Sequence, residues 1–209
     1  MKKAVLWDFG GVFVSSPFAA FNQYEAANGI PRDFIRRLNS TNPDTNSWAR
    51  FERSELTPDE FDIAFADESE AAGHRIPGCE VLLALGGQIH DDMLDMLEQV
   101  KAAGLKTACL TNNIVMPERP ANDRIDSRVA SIFPRFDCVV ESSKVGVRKP
   151  EPRFYEIACE MLDVAPGDCI FLDDLGINLK PAAAMGMTTI KVIEPAQAIA
   201  ELKQHLGWA

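Results

Sequence analysis

The stretch Ala4-Val5-Leu6-Trp7-Asp8-Phe9-Gly10-Gly11-Val12 decides how this chain is read. A carboxylate emerges where a buried apolar strand stops and glycines let the backbone turn, which is where an open α/β sheet places its chemistry. An Asp before Gly-Gly is, taken alone, ordinary turn chemistry. Three later segments repeat the arrangement: Leu110-Thr111-Asn112-Asn113, Val147-Arg148-Lys149-Pro150 and Leu172-Asp173-Asp174-Leu175. In each, a polar group closes or closely follows an apolar run, and strand ends of this kind can converge on one point.

Outward from these segments the chain alternates helix and strand. Met93, Met96, Leu97 and Val100 recur at helical spacing between Asp91 and Ala103, and Gly104 supplies the stop. Leu105 to Leu110 reads as a strand. Pro152 opens a helix whose inner face is Phe154, Ile157, Ala158 and Met161, and Pro166-Gly167-Asp168 turns into a strand over Cys169 to Leu172. Asn178 is expected to cap a helix that holds Pro181 in its first turn and stops at Gly186. A strand from Thr188 to Ile193 and a helix from Pro195 to about His205 complete the series. The alternation implies an α/β fold with a doubly wound parallel sheet.

Between Ser16 and Gly87 helical stretches follow one another without a convincing strand: Pro17 to Asn28, Arg32 to Leu38, Asn46 to Arg53, and Pro58 to Ala72, the last with Thr57 as N-cap and Glu60 three residues on. The expected organisation is therefore a discontinuous core, residues 1–15 and 88–209, interrupted by a helical insertion over 16–87.

A chain of 209 residues with 46% apolar content can bury a full core. Its net charge of −10 argues against non-specific nucleic-acid binding, which needs clustered cations. The five cysteines, Cys79, Cys109, Cys138, Cys159 and Cys169, show no Cys-x-x-Cys or zinc-like spacing and read as small buried residues in a reducing compartment. The apolar run after Lys2-Lys3 is too short for a signal peptide or membrane helix, so the expected location is cytoplasmic, away from membranes. His74, His90 and His205 lack ligand spacing and are expected at the surface or in caps.

Asp8 with Phe9-Gly10-Gly11-Val12, then Thr111, Lys149 and Asp173-Asp174, in that order, resemble the four motifs of the haloacid dehalogenase superfamily of hydrolases. The phrasing is similar to the branch that includes the phosphatase domain of soluble epoxide hydrolases and bacterial glucose-1-phosphate phosphatases. The resemblance implies a Rossmann-like core with an inserted helical cap of the first (C1) type. It also implies a Mg²⁺-dependent phosphomonoester hydrolase that acts on a small phosphorylated metabolite, sugar phosphates included, through an aspartyl-phosphate intermediate. Asp8 would be the nucleophile. Thr111 and the backbone N–H of Asn112 would hold the phosphate, with Lys149 aimed at Asp8 and the transferring group. Asp8, the Gly10 carbonyl and Asp174 would hold the metal, with Asp173 assisting.

The residue chemistry agrees with that assignment. Carboxylates about 4 Å apart repel by roughly 4 kcal/mol per pair at an effective dielectric near 20, and a phosphate dianion adds to the load. Mg²⁺ resolves this, because it takes oxygen ligands and bridges carboxylate to phosphate. Lys144 and Arg148 are rival cations to Lys149. Gly10 departs from the family: most of its phosphatases carry there a second Asp that protonates the leaving oxygen. Two other readings follow from that gap, a 2-haloacid dehalogenase and a non-catalytic member binding a phosphorylated ligand or a protein. Trp48 and Arg50 could stand over the site but fit packing and a solvated face better. Phe13 and Phe18 are placed near the cap as pocket-lining candidates. Arg119, Arg124 and Arg128 belong to a loop leading into a helix, and the oligomeric state, monomer or dimer, is left open.

Overall fold

A computed structural model describes residues 2–85, 87–113 and 128–208. Five strands form one parallel sheet: β1 (Ala4–Trp7), β2 (Lys106–Thr111), β3 (Cys138–Glu141), β4 (Cys169–Asp173) and β5 (Thr188–Lys191), in the order β3-β2-β1-β4-β5. The order reverses between β1 and β4, so the crevice outside their carboxyl ends is the switch point of the sheet. Trp7 is level with Leu172 on one side and Cys109 on the other, which sets Asp8 beside the ends of β4 and β2.

Helices cover both faces, and alternate side chains of each strand feed two cores. Val5, Trp7, Cys109, Ile170, Leu172 and Ile190 pack with helices α6 (Asp91–Ala102) and α10 (Pro195–Leu206). Ala4, Leu6, Ala108, Leu110, Val140 and Phe171 pack with α8 (Pro152–Leu162) and α9 (Gly176–Ala184). Burial on both sides explains why β1 is an unbroken apolar run: every one of its side chains is fully buried. The doubly wound parallel α/β core expected from the sequence is what the chain forms.

Between β1 and α6 lie five helices: α1 (Pro17–Ala27), α2 (Phe34–Ser40), α3 (Ser47–Glu52), α4 (Pro58–Ala71) and α5 (Gly78–Ala84). They have a core of their own, built on Phe21, Phe51, Phe61 and Phe65, with Phe51 and Phe61 stacked at 4.4 Å between ring centroids. Trp48 joins that cluster edge-on. Thr57 and Glu60 form the expected capping box at the start of α4. Gly78 opens the fifth helix where a Cβ would stand 2.9 Å from the Phe61 ring, so a larger residue there would clash. The sequence reading missed this helix, as it did β3 and the four-residue helix α7 (Ser142–Val145).

Three expectations are corrected. Helix α9 starts at Gly176, two residues before Asn178, so Asn178 does not cap it and Pro181 lies inside the helix. Cys79 is exposed, whereas Cys109, Cys138, Cys159 and Cys169 are buried as expected. Phe13 is fully buried against Trp7 and Phe136 and lines no pocket. Arg119 and Arg124 lie outside the described residues, and Arg128 pairs with Asp91 at the surface. Among the described residues no helix is long and apolar enough to cross a membrane.

Candidate active site

Asp8, Thr111 and Asp173 sit at carboxyl-terminal strand ends. Asp8 follows β1, Thr111 closes β2, Asp173 closes β4, and Lys149 lies in the connection from α7 to α8. The Asp8 N–H donates to Leu172 O at 2.8 Å, continuing the β1–β4 ladder one step past the strand.

Lys149 is the centre of the cluster. Its Nζ stands 2.7 Å from Asp8 Oδ1 and 2.8 Å from Asp173 Oδ2, and its side chain is 1% exposed. It is the buried cation, while its rivals are engaged elsewhere: Lys144 pairs with Glu141 and Arg148 with Glu52. Its backbone is fixed too. The Asn112 side-chain amide donates to Lys149 O at 3.0 Å and accepts from Lys149 N at 2.8 Å, and the Lys149–Pro150 peptide is cis. Asn112 thus has a side-chain task that sequence reading, which looked only at its N–H, did not find.

Asp173 is saturated. Besides Lys149 it accepts from Leu175 N at 2.8 Å and from Asn178 Nδ2, 3.1 Å from both carboxylate oxygens. Asn178 is held in turn by Tyr155, whose hydroxyl donates to Asn178 O at 2.7 Å. The signal for Asn178 was present, because the third residue of a helix following a strand points its side chain back at the strand end. Mistaking the start of α9 by two residues concealed it.

Asp8 differs from Asp173 in having a free end. Phe9 N–H and Lys149 both address Oδ1, the former at 2.6 Å, and among the described residues Oδ2 accepts no hydrogen bond. Burial pushes the Asp8 carboxyl up; Lys149 pulls it down, and Asp173 and Asp174 push it up again, leaving it well above its ordinary value. Burial also pulls the Lys149 ammonium down, but Asp173 and Asp8 outweigh that and leave it above its ordinary value. Asp174 is pushed up to about 6, first by burial and then by Asp173.

The carboxylate oxygens of Asp8, Asp173 and Asp174 lie within 4.8 Å of one another. Three carboxylates against one ammonium leave an excess of negative charge in an oxygen-only donor set, which suits a hard divalent cation. Gly11 makes the crowding possible. At φ +74° it occupies the left-handed region, and a Cβ there would fall 2.3 Å from Asp174 Oδ2. Gly10, by contrast, has nothing within 4 Å of its Cβ direction. Thr111 is buried at the end of β2. Trp48 belongs to the aromatic cluster of the helical segment, and Arg50 faces Glu55.

The model of the family described as haloacid dehalogenase-like hydrolase matches residues 2–186. The chain is 36% identical over 211 residues to acyl-CoA dehydrogenase family member 10 of Mus musculus, covering 99% of this chain and 19% of that protein. It is 30% identical to bifunctional epoxide hydrolase 2 of the same species, covering 98% of this chain and 39% of the relative. It therefore spans well under half the length of these two proteins. The sesquiterpene phosphatase astK of Aspergillus oryzae is 26% identical and is matched along 97% of its length, with 98% of this chain covered. Among solved structures, an enzyme of the haloacid dehalogenase family from Bacteroides thetaiotaomicron, in complex with magnesium and inorganic phosphate, shares the fold. Its TM-score is 0.59 at 20% identity, over 91% of this chain and 94% of that one.

Two outcomes test this geometry. Asp174 is raised from 3.8 to about 6, so the folded state holds a proton that the unfolded state has released between those values, and stability falls as pH rises through that window. In EDTA, Asp174→Asn should match wild type near pH 4 and exceed it by about 3 kcal/mol at pH 7.5 in urea unfolding. A difference that does not vary with pH would refute the assignment. Gly11→Ala should cost about 1–2 kcal/mol for its left-handed backbone and force Asp174 aside, which a crystal structure would show directly. An undisturbed Asp174 would contradict the close approach.

Proposed function

The chain belongs to the haloacid dehalogenase-like hydrolases, and we propose that within them it is a phosphomonoester hydrolase that works through Asp8. One observation carries the reading: a buried lysine bridges two carboxylates at the switch point of the sheet, while the outer oxygen of Asp8 is left free. A non-catalytic scaffold has no use for that expense of buried charge.

In this reading Asp8 Oδ2 attacks phosphorus, the ester oxygen leaves with its electron pair, and water then hydrolyses the aspartyl phosphate to return Asp8 and orthophosphate. Lys149 opposes the burial that raises the Asp8 carboxyl and neutralises equatorial phosphoryl oxygens. Thr111 Oγ1 and Asn112 N–H contribute donors to the same oxygens. Asp8, the Gly10 carbonyl and Asp174 would hold Mg²⁺, with Asp173 committed to Lys149 and Asn178 as an orienting group. When bound, the ion supplies charge neutralisation at the phosphoryl group. The helical segment over 16–87 acts as the cap on a core made of 1–15 and 88–209. The substrate is a small phosphorylated metabolite, met in the cytoplasm; nucleic acid and membrane are not partners.

Gly10 sets the character of the enzyme. With no side chain to protonate the leaving oxygen, general-acid assistance worth roughly 10²- to 10⁴-fold is withheld, so good leaving groups should be favoured. The space beyond its Cβ direction is open, so an Asp can be placed there.

Phosphate release from p-nitrophenyl phosphate, acetyl phosphate and sugar 1-phosphates should require Mg²⁺ and disappear in Asp8→Asn. Absence of release on every substrate, with turnover of 2-haloacids in EDTA, would replace this reading by dehalogenation. Gly10→Asp should raise turnover of alkyl phosphates by about 10-fold or more, and that of aryl phosphates far less. Equal effects on both would show that leaving-group protonation is not what position 10 lacks.

A further inference from the structure

Arg148 and Lys149 are neighbours whose side chains serve different bodies. Lys149 enters the carboxylate cluster. Arg148 reaches helix α3, its Nε donating to Glu52 Oε2 at 2.6 Å and its Nη1 to Pro43 O at 2.9 Å. The other oxygen of Glu52 accepts from Trp48 Nε1 at 2.9 Å. Both partners are sequestered, with side chains 14% and 8% exposed. Beside them Ser54 Oγ donates to Ser143 O at 3.0 Å. Among the described residues, this is the ion pair that joins the helical segment to the core.

A buried ion pair is a poor source of stability, since desolvation consumes most of its attraction, but it is directional and fixes geometry. The geometry fixed here is that of the residue before Lys149. Arg148 N–H is held by Glu151 Oε1 at 3.1 Å and Lys149 by Asn112, so a pull on Arg148 is transmitted to Lys149 through one peptide. Burial raises the Glu52 carboxyl above its ordinary value, opposed first by the Arg148 guanidinium and last by the nearby Lys149 ammonium.

We infer that Arg148 and Glu52 form a positioning latch that ties the helical segment to the Lys149 connection and sets where the Lys149 ammonium stands. The inference rests on the reading of Asp8 and Lys149 as the phosphoryl-transfer centre. Neither latch residue is assigned contact with the reacting atoms.

The test uses Glu52→Gln, Arg148→Gln, the double variant and Arg148→Lys, each read in two ways. On the phosphate ester that wild type turns over best, each Gln variant should lose about 10- to 100-fold, chiefly in kcat. The double variant should be no worse than the poorer single one, because both break the same link. Arg148→Lys should recover part of the loss. Independently of turnover, acetylation of Lys149 by acetic anhydride, followed by mass spectrometry, should accelerate in the Gln variants at unchanged thermal midpoint. Additive losses, or a Lys149 as protected as in wild type in folded variants, would overturn the latch. If a Gln variant does not fold, Glu52→Asp, which shortens the side chain by one methylene and breaks the contact to Arg148, decides by the same labelling: a Lys149 as slow as in wild type counts against the latch. Should wild type release no phosphate from any ester, the phosphatase reading fails, while the labelling rates still uphold or reject the latch.

Discussion

The structure is organised around the cost of burying a lysine. An ammonium taken out of water is tolerated only when anions and hydrogen bonds replace its hydration, and Lys149 is supplied with Asp8 on one side and Asp173 on the other. The Phe171 ring adds a weaker attraction 5.7 Å below the nitrogen. Each of those partners must then be held still. Asp173 is held by the N-terminal turn of α9, Asn178 by Tyr155, and Tyr155 by packing of α8 against β4. A chain of contacts therefore runs from the interior of the fold to Asp8 without passing through solvent.

Charge balance explains the remaining asymmetry. One ammonium satisfies two carboxylates, and Asp174 is the third. Its carboxyl is pushed up first by burial and then by the neighbouring Asp173, and the left-handed turn at Gly11 lets it come so close. A protein that wanted only a stable turn would not crowd three acids within 4.8 Å of one another. The arrangement stores unfavourable electrostatic energy at the point where a divalent cation and a phosphoryl group would relieve it.

Legibility followed the physics of each element. β1, α6 and α8 were readable because burial on one or two faces imposes a pattern that apolar residues report. β3 was not, since Cys138-Val139-Val140-Glu141 is only partly buried on alternate residues and borrows its definition from pairing with β2. Strand-end polar residues located the site, and their order located its parts. What stayed hidden were contacts between residues distant in sequence: Asn112 clasping Lys149 and Arg148 meeting Glu52 across 96 positions. No local pattern encodes these, because each depends on where the fold carries two segments. The misplaced start of α9 shows the converse risk: Asn178 is a good capping residue, and its tertiary partner overrode that preference.

Gly10 can be understood from the same balance. A carboxylate at that position would be a fourth acid beside three that already exceed the local positive charge, and it would raise the price of leaving the site without a cation. Its absence leaves the nucleophile, its lysine and the acidic pair intact, because none of them touches a side chain at position 10. The general acid is thus a separable module, removable without disturbing the charge network that holds Asp8. That separability makes a glycine here compatible with Asp8 as the proposed nucleophile, and chemistry of that kind would depend more on the leaving group than on the enzyme to accept a proton.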